Sequence, residues 1–154
     1  MSLFYVFYGE ADAPVAEVGR LIAATVGAEH VTADTVFCHG MNVTVHHVED
    51  GDAEDSTGRY FGFAERTSAT FTFDNLAPRE QRESNVVRMV AAVLAIFEAW
   101  PGRGVLLHNG EHAVLQRLAD GIEFDSEWDD WIEIDGVAPY LSANATLRLT
   151  QPLL

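Results

Sequence analysis

Between Leu118 and Leu147 the chain carries eight acids and no base: Asp120, Glu123, Asp125, Glu127, Asp129, Asp130, Glu133 and Asp135. Trp128 and Trp131 stand in the middle of them. Charge left unneutralised in this way costs stability through self-repulsion, but it attracts and steers a basic partner. Aromatic anchors ringed by charge are also what a protein-binding hot spot presents. The residues expected to bind a partner are therefore Glu123, Asp125, Glu127, Trp128, Asp129, Asp130, Trp131 and Glu133. The competing reading is a solvated acidic loop whose two indoles fold back into the core, since Trp is usually largely buried. At strand or turn spacing, at most one of the two faces inward. Asp129 and Asp130 follow Trp128, which marks it as the outward one. Trp131 opens an apolar alternation with Ile132 and Ile134, which marks it as the inward one.

Other residue types that could do chemistry are scattered. His46 and His47 are adjacent on an alternating segment, so they point to opposite faces and cannot chelate one metal. His108 and His112 bracket Asn109-Gly110. A two-residue hairpin there pairs His108 with Glu111 and sets His112 on the other face. A cross-strand His–Glu pair contributes ~0.2–1 kcal/mol, which is an adequate structural reason for it. A metal site from His46, His108 or His112 would need chance convergence of the fold. The loop from Asp50 resembles a calcium loop only in composition, because Asp55 and Phe61 stand where Gly and a bidentate Glu are needed. Carboxylate pairs for acid/base work occur throughout and discriminate nothing. Cys38 beside His39 is no dyad, since neighbouring strand side chains diverge. There is no G-x-S-x-G, no phosphate-cradling glycine loop and no Lys, all nine bases being Arg. No metal and no cofactor is expected.

The totals point the same way. The 154 residues suffice for one domain with a real core. The net charge of -15 repels nucleic acid and anionic membrane, so neither is an expected partner. The charge is a mosaic. Residues 21–58 and 118–147 are strongly acidic, whereas residues 59–117 carry seven Arg against six acids. A single cysteine excludes an internal disulfide and fits a reducing compartment. The N-terminal segment lacks a basic n-region, and no apolar run reaches the ~20 residues of a membrane helix. The expected location is the cytoplasm.

The elements that must position these groups follow from periodicity. Leu3–Tyr8 reads as a buried strand. Asp12 and Pro14 open a helix whose stripe is Val15, Val18, Ile22 and Val26, with Gly27 as its stop. Strands are expected at Val36–Cys38, Met41–His47, Tyr60–Phe63 and Ala69–Phe73. From Pro78 a helix runs polar to Asn85 and then almost wholly apolar to Phe97. Val86, Val90, Val93 and Phe97 share one stripe, and Trp100-Pro101-Gly102 ends the helix. Val105–His108 and His112–Leu118 flank the hairpin signal. Ile132–Ile134 and Ala145–Thr150 are late strands. This order predicts a single α+β domain over residues 1–154, with two helices packed on one face of a largely antiparallel β-sheet.

The segment from Tyr60 to Asn75, the long helix, and the segment from Gly104 to Leu118 together resemble the immunity proteins of contact-dependent swarm-inhibition (Sit) toxin systems. So does the first strand, LFYVFYGEADAP, with its amphipathic helix. The motifs that carry the likeness, Phe61-Gly62-Phe63, Phe71-Thr72-Phe73 and Asn109-Gly110-Glu111, have roles in the fold. The resemblance implies a cytoplasmic protein that binds and neutralises a cognate bacterial toxin. The region from Glu123 to Pro139 lies outside the shared pattern, as a surface matched to one toxin would. If that toxin is a nuclease, its active site is basic, and carboxylates compete for its cations. Two other readings compete. A small metal-dependent or acid/base hydrolase would need the histidines and acids to converge in one pocket. A housekeeping adaptor would need only a surface.

Overall fold

A computed structural model describes residues 3–49 and 57–152. The Asp50 loop weighed for calcium lies outside the described residues. The longest apolar stripe forms the longest helix, α2 (Arg79–Ala99), between Pro78 and Trp100 as the stop signals predict. Val86, Val90, Val93 and Phe97 are buried, and Met89, Ala92 and Ile96 widen the stripe. The polar first half is also tied down. Asn85 is buried, and its amide donates to the His39 carbonyl at 2.8 Å, as does that of Gln81. That carbonyl opens the turn at Gly40, where φ is +84° and a Cβ would meet the Asn85 amide at 3.0 Å. Only glycine fits there.

Helix α2 has no base in its last turn to meet its unpaired carbonyls. Arg117 arrives from a distant strand instead. It donates to the carbonyls of Phe97, Trp100 and Gly102 at 2.6, 2.8 and 2.8 Å, and its guanidinium lies 4.5 Å over the Phe97 ring. Burial pulls its pKa down, yet a guanidinium stays charged.

Helix α1 (Val15–Val26) packs beside α2 through Val18, Ile22 and Val26. Gly27 ends it in the left-handed region at φ +69°. Asp12 does not cap it. Pro14 holds the cap position, and the Asp12 carboxylate is drawn instead to His47 at 2.6 Å.

Both helices cover one face of a nine-stranded sheet among the described residues: β1 (Leu3–Gly9), β2 (His30–Val31), β3 (Thr35–Cys38), β4 (Met41–His47), β5 (Thr67–Phe73), β6 (Gly104–His108), β7 (His112–Arg117), β8 (Glu123–Asp125) and β9 (Ala145–Leu147). The order is β2-β3-β4-β5-β1-β6-β7-β8-β9, and every pair is antiparallel except β8–β9. The α+β architecture with helices on one face is thus the observed one. A smaller cluster of Phe63, Val105, Leu107 and Ala113 closes part of the other face.

Three local expectations are corrected. Tyr60–Phe63 is no strand. Thr57–Phe61 forms a 3-10 turn, and Gly62 at φ +87° then turns the chain so that Phe63 covers the back of the sheet. Ile132–Ile134 is no strand either. It lies across the end of α3 (Asp129–Glu133), which a 3-10 turn and α4 (Ala138–Ala143) follow. The buried apolar residues there are Trp131, Ile134 and Val137, a spacing of three that belongs to helical turns, not to an alternating strand. Asp129 and Asp130 in its first turn favour the helix start through the backbone dipole. Finally, the hairpin loop has three residues. His108 pairs with His112, not Glu111, and Asn109 and Gly110 both take positive φ. A register shift between Leu106 and Leu107 leaves Val114 without a cross-strand partner.

Candidate partner-binding site

The hairpin correction brings chemistry together. Because His108 and His112 are directly opposed, their side chains share one face of the sheet, the face that carries Tyr5 one strand over. Trp128 packs on that group. Its ring lies 4.6 Å from the His108 ring, 5.1 Å from the His112 ring at an interplanar angle of 28°, and 6.3 Å edge-on from Tyr5. Its indole N–H donates to the Tyr5 hydroxyl oxygen at 3.0 Å. Tyr5 in turn donates to Asp130 through a short bond, and Arg82 of α2 donates to both Asp130 oxygens at 3.1 and 3.0 Å. This chain joins β1, α2 and the start of α3. Burial drives the Tyr5 hydroxyl far above its usual pKa, and the Asp130 charge adds to the effect, so the group remains a donor.

Each predicted site residue can now be placed. Trp131 is 2% exposed, stacks near Tyr5, meets Phe124 edge-on, and donates to the Val114 carbonyl at 2.8 Å, so it lies in the core beneath the surface. That bond satisfies the carbonyl of the one β7 residue left unmatched at the register shift. Asp130 is buried against Arg82. Asp125 is also 2% exposed; it holds His112 Nε2 at 2.9 Å and accepts the backbone N–H groups of Glu127 and Leu149. These three are turned inward and fix the chain from β8 to α3. Trp128 is half-buried. Glu123 is half-buried and accepts the Gln116 amide at 3.0 Å. Glu127, Asp129 and Glu133 are exposed, with Asp120 and Asp135.

Sequence reasoning missed Ile132. At 64% exposure it stands between Asp129 and Glu133 on the outer side of α3. The three-residue spacing of Trp131, Ile134 and Val137 was the signal, since it leaves Ile132 outward. It also missed Arg82, Tyr5 and the histidine pair as supports. Beside α3 runs a groove against α2, lined by Glu83, Val87, Glu133, Asp135 and Gly136. A Cβ on Gly136 would come within 2.7 Å of Val87, so glycine is what lets the two elements close.

The arrangement can hold a short acidic helix rigidly and present its carboxylates around one apolar residue. Its buried carboxylates are already engaged by Arg82, Tyr5, His112 and backbone donors. Among the described residues, no three His, Cys, Asp or Glu side chains converge as a metal site requires. No helix among them is long and apolar enough to cross a membrane.

The fold and this surface define a one-domain α+β protein whose polar clusters support an exposed acidic helix. Its sequence matches the SitI3-like family over residues 3–135, and the chain belongs to that family. The resemblance to Sit immunity proteins is thereby shown, and the match spans β1 through α3, so the expectation that the region from Glu123 to Pro139 stands outside the family pattern is corrected as far as Asp135. No curated protein and no solved structure matches the chain.

Proposed function

We propose that this protein is an immunity protein that binds a cognate toxin with a basic surface and neutralises it, and that the contact is made by the outer face of α3. The observation that carries the reading is Ile132. A large apolar side chain is held 64% exposed within a set of exposed carboxylates, Glu127, Asp129, Glu133 and Asp135, on a helix anchored from below by the bonds of Trp131 to Val114 and of Asp130 to Tyr5 and Arg82. Apolar anchors rimmed by charge concentrate binding energy, and rigid support reduces the entropy lost on association. Membership of the SitI3-like family supports the toxin as partner. Trp128 stiffens the same edge and exposes part of its ring to the partner.

The test is a binding measurement against the toxin encoded next to this gene. Ile132→Ala should leave the melting temperature nearly unchanged, since surface substitutions shift stability by ~0.5 kcal/mol or less. It should weaken toxin binding by at least ~2 kcal/mol, about thirtyfold. Association should slow by ~10–10³-fold as salt rises. Parental affinity for Ile132→Ala together with a flat salt profile removes α3 as the contact.

A further inference from the structure

Trp128 occupies the N-cap position of α3, and its carbonyl accepts the N–H groups of Trp131 and Ile132 at 3.1 and 3.2 Å. Where its indole sits therefore decides where α3 begins. That indole is gripped by the opposed imidazoles of His108 and His112, each within about 5 Å of its ring, and by the Tyr5 hydroxyl. The two imidazoles have unequal surroundings. His112 touches the buried carboxylate of Asp125. No carboxylate is hydrogen-bonded to His108 among the described residues. The buried carboxylate of Asp130 is already occupied by Arg82 and Tyr5. His108 is half-buried against Tyr5 of β1 and Trp128, with His112 of β7 across the strand pair, Arg82 of α2 behind Asp130, and the exposed Glu111 in the hairpin loop.

We infer that His108, His112 and Trp128 form a proton-sensitive clasp that sets whether α3 is presented to its partner. With neutral imidazoles His112 stacks on the indole, His108 packs tilted against it, and the indole is fixed. A proton on His112 is met by Asp125. A proton on His108 faces a second imidazole and the Arg82 charge in a site that burial makes poor for cations. The cheapest relief is for His108 to swing into solvent. One face of Trp128 is then uncovered and the start of α3 loosens. Burial, with help from His112 and Arg82, holds the His108 pKa below the ordinary imidazole value against the pull of Asp130 and Glu111, in keeping with this geometry.

The clasp is tested on the free protein, so only its effect on binding rests on the α3 reading. The measurement is an NMR titration from pH 7.5 to 5.0 that follows the indole N–H of Trp128, assigned by Trp128→Phe, and the ring C–H signals of both histidines. The indole signal should move with the His108 midpoint, and acrylamide should reach Trp128 more readily in acid. His108→Gln should hold the indole signal still. An indole signal that stays put while His108 titrates overturns the clasp, and so does one that moves unchanged in His108→Gln. If that variant does not fold, the comparison of His108 and Trp128 midpoints in the parent decides alone. In the toxin assay the parent should lose about tenfold in affinity per pH unit below the lowered His108 midpoint, because one proton must be expelled on binding. His108→Gln should show no such slope. A toxin that binds at no pH overturns the α3 reading, while the indole titration still judges the clasp.

Discussion

The two ends of β1 are built from the same chemistry and do different work. At its start, Tyr5 leads into Asp130 and Arg82, a carboxylate and guanidinium held in a largely buried pair beneath α3. At its finish, Glu10 meets Arg103 through bonds of 3.1 and 2.9 Å, and the Arg103 backbone N–H adds a third at 2.7 Å, but this carboxylate is 30% exposed where that of Asp130 is 11% exposed. Next to it, Asp12 touches His47 and Arg66 at the surface. A buried pair is costly to break, because removing one partner strands a charge away from water. An exposed pair is screened and contributes little. The first end is therefore committed to holding one geometry, whereas the second closes a turn.

Substitutions sharpen the contrast. The largest effect belongs to neither pair. Phe97→Ala empties the space between Phe7, 5.4 Å away, and Arg117, and should cost ~3–5 kcal/mol of stability. Thermal melts measure it, and the folded fraction should still bind toxin with parental affinity. A variant that melts like the parent would take α2 out of the core. Arg82→Ala comes next. Asp130 keeps only Tyr5 as partner, and the loss should be about 2–3 kcal/mol, below the full cost of a buried pair because Arg82 is 31% exposed. Toxin binding should fall with it, since Asp130 anchors the first turn of α3. Arg103→Ala should lose less stability than Arg82→Ala and leave toxin binding intact. Equal losses from Arg82→Ala and Arg103→Ala would erase the distinction between the two ends.

The same contrast explains what could be read from the chain and what could not. Helix α2, the strands of the sheet centre and the stop at Gly27 were legible, because long stripes and turn glycines report local physics. The acidic stretch was legible as a region, but its division into buried and exposed members was not. Asp125 and Asp130 look like their neighbours until His112 and Arg82, from β7 and α2, are brought to them. Ile132 turns outward unannounced because a five-residue helix is too short for its period to outweigh an apparent alternation. The histidine pair was hidden by one residue of loop length. Asn109-Gly110 announces a hairpin, but register depends on whether Glu111 joins the loop.

Acidity separates the two ends by sign. At the Asp12 end, the hydrogen bond that His47 donates to the Asp12 carboxylate holds the His47 pKa above its ordinary value, with Glu49 adding to it. The folded state then binds more protons than the unfolded chain above pH ~6.5, so this stabilisation is full below that pH and fades as pH rises through the raised folded value. At the Trp128 end, burial holds His108 below its ordinary value. There the unfolded chain binds more protons, and stability rises with pH between the lowered folded value and ~6.5. His47→Gln should therefore remove a decline in stability above neutrality, and His108→Gln should remove a decline on the acid side. Urea unfolding at closely spaced pH values measures both slopes. The His47 effect should be the smaller, because that imidazole is exposed and its ion pair is screened. Slopes of the same sign for the two variants would mean that the two ends of β1 do not differ in how they hold charge.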